Sequence, residues 1–289
     1  MTESVLSVKG LSKHYDGFEL NDVSFSLRPG AITGFIGRNG AGKSTTLKSL
    51  LNFVHPDSGD IRFFGEPFSQ RELEIKGRIG FVAGGIDYYT KTKIRTITQV
   101  TRQFYPQWDE QAYRRYLRLF GLEERKTPAQ LSEGMKVKYA LTLALSHRAT
   151  LLLLDEPTSG LDPVSREDLL DIFLQSVEQE QLTILFSTHI TSDLEKCADE
   201  ILYIKDGRLI GRGALDAFKA KYRVIHLASD QLTPALEPEL IGCKRTRDGY
   251  SALVRAGRAG LPGTQTDADL ESIMIHLEKE GSPCEKPAV

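Results

Sequence analysis

The chain of 289 residues carries 37 Lys and Arg against 39 Asp and Glu, a formal net charge of -2, with 40% apolar and 26% charged residues. That is enough chain for one large domain plus an appendage, or two modest domains, and the composition excludes a disordered chain, a collagen and a disulfide miniprotein. The charge balance gives no reason to expect nucleic acid as a partner, and no stretch approaches the ~20 apolar residues needed to span a bilayer.

From the N-terminus, Val5, Val8, Val23, Phe25 and Leu27 alternate with polar residues and predict short strands turning at Asp16-Gly17 and Pro29-Gly30. The start, Met1 to Ser4, has no long apolar run and does not read as a secretory signal. Ala31 to Ile36 suits a buried strand. A glycine-rich loop comes next, then a helix from about Lys43, and further strands over 60–64 and 78–82.

From about 86 to 149 the strand signals stop, and Tyr113, Tyr116, Leu117 and Phe120 recur at helical spacing. The block to residue 150 holds twelve Lys and Arg against six Asp and Glu. It reads either as a solvated helical surface or as a helical insert near phosphates or a membrane surface. Beyond it come a strand over Leu151 to Asp155, a helix from about Pro163 to Glu180, a strand over Leu182 to Ser187, a helix from about Ser192 and a hairpin turning at Asp206-Gly207. Strands alternating with helices imply a mainly parallel sheet.

Past residue 220 strands are expected near 224–227 and 250–254. A Gly/Pro linker from Gly257 to Gly263 then leads to a terminal helix. Thr266 or Asp267 is its expected cap, and Leu270, Ile273, Met274 and Leu277 form its apolar stripe. The tail from Gly281 reads as disordered. Cys197, Cys243 and Cys284 stand far apart, without a CxxC pair, and read as free thiols.

Gly37-Arg38-Asn39-Gly40-Ala41-Gly42-Lys43-Ser44 matches G-x-x-x-x-G-K-[ST] between a buried strand and a helix, where its mechanism needs it. The glycines let backbone N–H groups point at phosphate oxygens, and the helix N-terminus adds partial positive charge. Lys43 can reach the β- and γ-phosphates of a nucleotide, and Ser44 can ligate Mg²⁺; Thr45 lies beside them. Leu151 to Asp155 delivers Asp155 and Glu156 at the C-terminal end of a strand. Asp155 would hold Mg²⁺, and Glu156 would polarise the attacking water as general base. Alone, such a pair reads better as a capping or surface carboxylate; beside the phosphate loop it completes a site.

With these residues in place, the sequence over about 3–215 resembles the ATPase subunit of ATP-binding cassette (ABC) transporters. Leu131-Ser132-Glu133-Gly134-Met135 is similar to the family's signature, usually LSGGQ. Ser159-Gly160-Leu161-Asp162 is similar to its D-loop, and Ser187-Thr188-His189 to its switch histidine. Tyr15 sits where the family places an aromatic against adenine. Singly, His189 could be a core histidine, Tyr15 a strand-surface aromatic and Ser132 a helix cap.

The resemblance implies a RecA-like α/β P-loop core with an antiparallel β subdomain, a helical insert at about 86–149 and a small C-terminal α/β appendage. These form an ATPase domain over 1–218 and an appendage over 219–289. It also implies a divided site. Ser132 and Gly134 would face the ATP held by a second, identical or related subunit, His189 would bond the γ-phosphate and attacking water, and Asp162 would couple the two sites. A separate integral membrane permease would hold the chain on the cytoplasmic face of the membrane.

Two departures from the family stand out. Glu133 and Met135 replace Gly and Gln in the signature, and Glu133 puts negative charge near a triphosphate. The segment Ala83-Gly84-Gly85 lacks the Gln or Glu that usually touches Mg²⁺, with Asp87 the nearest replacement. Low basal ATPase activity is therefore expected. Tyr105-Pro106-Gln107-Trp108-Asp109 resembles the Y-P-x-W-D segment of a Gram-positive exporter branch that includes antimicrobial-peptide and phenol-soluble-modulin exporter ATPases. An importer motor and a non-transport regulatory ATPase remain as alternatives.

Overall fold

The computed structural model describes residues 4–83, 88–258 and 260–281. The chain divides into two units, 1–210 and 211–289. The sequence places this boundary at 218/219. The division falls earlier because the short helix α8 (Leu215–Lys219) belongs to the second unit: Phe218 packs edge-on to Tyr222, and its ring closes over Gly211.

In the first unit, β1 (Leu6–Tyr15) and β2 (Phe18–Leu27) pair antiparallel around the Asp16-Gly17 turn. Their alternating Leu6, Val8, Val23, Phe25 and Leu27 are all buried, as period-two patterning requires. With β4 (Ser58–Phe63) and β5 (Glu66–Pro67) they form one sheet in the order β2-β1-β4-β5.

A second sheet combines β3 (Ile32–Ile36), β6 (Ile79–Ala83), β7 (Leu151–Asp155), β8 (Thr183–Thr188), β9 (Glu200–Lys205) and β10 (Arg208–Ala214). Its order is β10-β9-β3-β8-β7-β6. The pairs from β9 to β6 are parallel. β3, β7 and β8 are buried at every position, which explains why they read as unbroken apolar runs. One core joins the two sheets: Leu6, Leu20 and Phe63 from the first, Phe35, Leu153 and Leu185 from the second, and Leu47 and Leu50 of α1 (Lys43–Leu50).

The helices between strands are α2 (Glu72–Lys76), α3 (Ile94–Thr101), α4 (Glu110–Leu119), α5 (Glu133–Ser146), α6 (Pro163–Glu180) and α7 (Thr191–Cys197). The insert is thus helical as its periodicity predicts: Tyr113, Tyr116 and Leu117 of α4 are buried.

The second unit forms a four-stranded sheet from β11 (Tyr222–Leu227), β12 (Ile241–Thr246), β13 (Gly249–Arg255) and β14 (Thr264–Asp267), in the order β12-β13-β11-β14. The helix α9 (Leu270–Glu278) comes after it. The helix cap differs from the expected one. Thr266 and Asp267 end β14, where Asp267 pairs with Arg223 of β11; the cap is Asp269, whose carboxylate accepts from Ser272 N at 2.7 Å. The buried stripe is Leu270, Ile273, His276 and Leu277, with Met274 only half-buried. His276 is held in its buried place by Ser251 Oγ at 3.1 Å and a contact with the Gly242 carbonyl. Cys197 is a buried free thiol whose pKa burial pushes up to about 12, and the expected free thiol at Cys284 lies outside the described residues. The expected disordered tail lies outside the described residues beyond Gly281.

Candidate functional site

The C-terminal ends of β3, β7 and β8 lie side by side, because β3 pairs with β8 and β8 with β7. Three loops therefore start at one edge of the sheet, the place where parallel α/β sheets bind ligands. The first runs from Gly37 to Gly42. Gly40 has φ 85° and Gly42 φ 111°, left-handed values that glycine adopts without steric cost. A Cβ on Gly37 would stand 2.4 Å from the Ile204 carbonyl oxygen, so side chains are excluded there too. Gly42 caps α1, and among the described residues no side-chain cap bonds the helix N-terminus. The first-turn N–H groups are thus left for a ligand, and an anion fits them.

Lys43, only 5% exposed, hydrogen-bonds the carbonyls of Gly37 at 2.8 Å and Arg38 at 3.3 Å. These bonds curl the ammonium back into the loop. Ser44 and Thr45 are half-buried on the same first turn, and Ala41 closes the loop by donating its N–H to the Arg38 carbonyl at 3.1 Å. Asn39 is exposed at the loop's outer bend.

The second loop leaves β7. Asp155 is buried, and its Oδ1 accepts from Ser187 Oγ at 2.7 Å. Glu156 takes φ 51°, a left-handed conformation that costs about 1–2 kcal/mol in a residue with a Cβ. Its N–H donates to the Ser187 carbonyl at 3.0 Å. That strained backbone turns the carboxylate toward the phosphate loop: Oε1 lies 3.2 Å from Lys43 Nζ, and Oε2 2.8 Å from His189 Nδ1. With a carboxylate as acceptor, Nδ1 carries the hydrogen. His189 belongs to the third loop, after β8, and is exposed.

Lys43, Glu156 and His189 therefore converge, with Asp155 adjoining Glu156 in the chain and held by Ser187. Ser187 is the residue that sequence reasoning undervalued. It anchors both carboxylate-bearing residues, through a register (Asp155 opposite Ser187) that single-strand patterns do not carry. Ser44 and Asp155 supply oxygen donors of the kind a hard divalent cation takes, so the residues fit Mg²⁺. Tyr15, at the end of β1, is exposed and lies 6.5 Å from Phe18, whose ring would touch a Cβ on Gly42 at 3.0 Å. The adenine-stacking candidate thus stands beside the loop by way of Phe18, a residue with no distinguishing mark in the sequence.

The remaining candidates gather elsewhere. Ser132, Glu133, Gly134, Gly160, Asp162 and Lys138 line a cavity of about 560 Å³ whose walls do not include the phosphate loop. Ser132 caps α5, its Oγ accepting from Met135 N at 3.2 Å. Asp162 caps α6, accepting from Val164 and Ser165 N–H at 3.0 and 3.1 Å; the bonds from Ser165 and Val164 hold its carboxyl below the usual range. Glu133 is neutralised by Lys136 Nζ at 2.7 Å, so its charge is not bare at the helix N-terminus. Gly84 and Asp87 lie outside the described residues.

A groove of about 550 Å³ runs beside α3, lined by Tyr88, Tyr89, Ile97, Val100, Phe104 and Tyr105. Phe104 is 75% and Tyr89 70% exposed. Among the described residues no helix is long and apolar enough to cross a membrane.

The ABC transporter family model matches residues 20–159. The chain is 32% identical to the ABC transporter ATP-binding protein YtrB of Bacillus subtilis (strain 168), over 78% of this chain and 77% of that one. It is 32% identical to the bacitracin transport ATP-binding protein BcrA of Bacillus licheniformis, over 76% and 73%. It is 34% identical to the Nod factor export ATP-binding protein I of Burkholderia pseudomallei (strain 1710b), over 96% and 98%. Among solved structures, the ATP binding subunit of an ABC transporter superposes with a TM-score of 0.66 at 30% identity, covering 75% of this chain and 92% of that one. A phosphate loop, an aligned pair of carboxylates and a signature helix, in a chain with these relatives, identify it as a member of the ABC transporter family: it is an ATPase, the nucleotide-binding subunit of a transporter.

Proposed function

We propose that the chain binds Mg-ATP in its phosphate loop, closes on a second subunit, and drives an exporter of amphipathic or antimicrobial peptides. The reading rests first on the convergence of Lys43, Asp155, Glu156 and His189 at one edge of the sheet. ATP enters where Glu156 now meets Lys43. The ammonium transfers from the carboxylate to the β- and γ-phosphates, and the N–H groups of α1 take the remaining oxygens. Glu156, freed from Lys43 but still bonded to His189, accepts a proton from the attacking water. His189 holds Glu156 in place through Nδ1. Ser44 and Asp155 would hold Mg²⁺, which supplies charge neutralisation at the phosphate oxygens.

The cavity at Ser132, Gly134 and Asp162 supports the two-subunit reading. It presents the N-terminus of a 14-residue helix together with a hydroxyl, donors suited to the γ-phosphate held by the partner. The pairing of Glu133 with Lys136 removes the objection that its charge would repel a triphosphate. The groove lined by Tyr88, Tyr89 and Phe104 supports docking of a separate membrane permease. Exposed aromatics of this kind mark interaction surfaces. Exposed Lys91 and Lys93 stand next to Tyr89 in the chain, which favours an amphipathic permease helix carrying acidic residues. Export is favoured by the names of two relatives, for bacitracin transport and Nod factor export. ATPase activity measured with and without the co-purified permease tests the reading. Stimulation by the permease is expected; equal rates would count against it.

A further inference from the structure

The segment Tyr105–Asp109 takes no part in nucleotide chemistry, yet its contacts are specific. Tyr105 lines the groove and stacks on His147, with ring centroids 4.0 Å apart and planes at 12°. His147 ends α5 and is 3% exposed. It also meets the backbone of Gly77, the C-cap of α2, while its Nδ1 has no hydrogen-bond partner among the described residues. Four residues after Tyr105, Asp109 N donates to the Ser146 carbonyl at 2.7 Å, and the Asp109 carboxylate takes Arg148 at 3.0 Å.

Half-way along α5 there is a second grip. Tyr139, fully buried, donates to the Ile94 carbonyl at 2.9 Å and meets Thr98 Oγ1 at 2.8 Å. Both belong to α3, which also lends Ile97 and Val100 to the groove. The groove wall therefore holds α5 at its middle and its C-terminal end. The N-terminal end of the same helix carries Ser132 and Gly134. At 1.5 Å per residue α5 is about 21 Å long, so a tilt of ~3° about His147 displaces the signature by about 1 Å. Hydrogen-bond donors aimed at a phosphate are sensitive to displacements of that size.

We propose that His147 is the pivot of the signature helix, a positioning residue that takes its place from the Tyr105 ring and the Gly77 backbone. Through it, a permease helix seated in the groove resets the aim of Ser132 and Gly134. The aromatic-rich segment around Trp108 is the clamp that keeps the pivot closed, with Trp108 against Tyr113 at 5.5 Å. The inference rests on the reading that the groove receives the permease.

The test compares the isolated chain with the permease complex for wild type, His147→Leu and Tyr105→Phe. In the isolated chain, His147→Leu should bind ATP and turn over within about twofold of wild type, the P-loop being untouched. In the complex it should still assemble but lose at least about fivefold of the permease's stimulation. Tyr105→Phe keeps the stack and should keep the stimulation. Should His147→Leu fail to fold, His147→Phe, which restores a flat ring, replaces it and should retain stimulation. Hydrogen exchange over 131–136 is then followed in the wild-type complex, where permease binding should change its protection. Full stimulation in His147→Leu, an equal loss of basal and stimulated turnover, or unchanged protection at 131–136 overturns the pivot while leaving the docking reading intact. Absence of any stimulation in wild type overturns both.

Discussion

Lys43 Nζ and Glu156 Oε1 stand 3.2 Å apart, so in the free chain the carboxylate proposed as general base is paired with the ammonium proposed to take the phosphates of ATP. The pair is mostly shielded from solvent. On the proposed function, nucleotide binding is an exchange of anions on one ammonium, and the carboxylate is released by the event that brings in its substrate. The left-handed backbone at Glu156 fixes this geometry, since an ordinary φ at that residue would aim the side chain elsewhere.

Two substitutions separate the partners of this pair. Lys43→Ala should weaken ATP binding about 10- to 100-fold, the loss of charged hydrogen bonds worth ~1.5–3 kcal/mol. Glu156→Gln removes the competing anion and should tighten ATP binding by up to about fivefold, the factor that ~1 kcal/mol represents. Equilibrium titration with a fluorescent ATP analogue reads both. Near-normal affinity in Lys43→Ala would remove the phosphate-loop assignment.

Ser132→Arg is expected to abolish hydrolysis while changing the ATP affinity of an isolated subunit by less than about twofold, as follows from the proposal that the signature acts on the partner's nucleotide. Mixing it with Lys43→Ala subunits should restore at most one composite site. Loss of ATP binding in the isolated Ser132→Arg chain would rule out the shared-site geometry.

The buried His147 gives a pH dependence. Burial lowers its pKa from the ordinary 6.5 to about 4, so the unfolded chain takes up this proton first as pH falls. Its contribution to stability is complete above about pH 6.5 and is lost progressively down to about pH 4. Wild type should therefore lose about 1 kcal/mol more than His147→Phe between about pH 7 and about pH 5.5. Urea unfolding at the two pH values measures the difference, and equal losses would show that the imidazole is not desolvated.

The parts of this molecule that local sequence determines were legible. A glycine loop between a buried run and a helix, and an apolar strand ending in Asp155-Glu156, carry their own geometry. What depended on distant pairing was not. Thr266 and Asp267 look like caps, but hydrogen bonding to β11 makes them a strand, and Asp269 takes the role. β14, all four residues exposed, offers no apolar alternation to read. Ser187 matters because β7 and β8 are in register, which neither strand announces. Glu133 looked like a liability until the structure paired it with Lys136 one helical turn away.

Size-exclusion chromatography of Glu156→Gln with ATP and Mg²⁺ asks whether two chains share their nucleotides between phosphate loop and signature, since removing the base should trap the closed state. Sharing requires a dimer that forms with ATP, dissociates when ATP is replaced by ADP, and is lost on adding Ser132→Arg. A Glu156→Gln chain that binds ATP yet remains monomeric at every protein concentration would refute it.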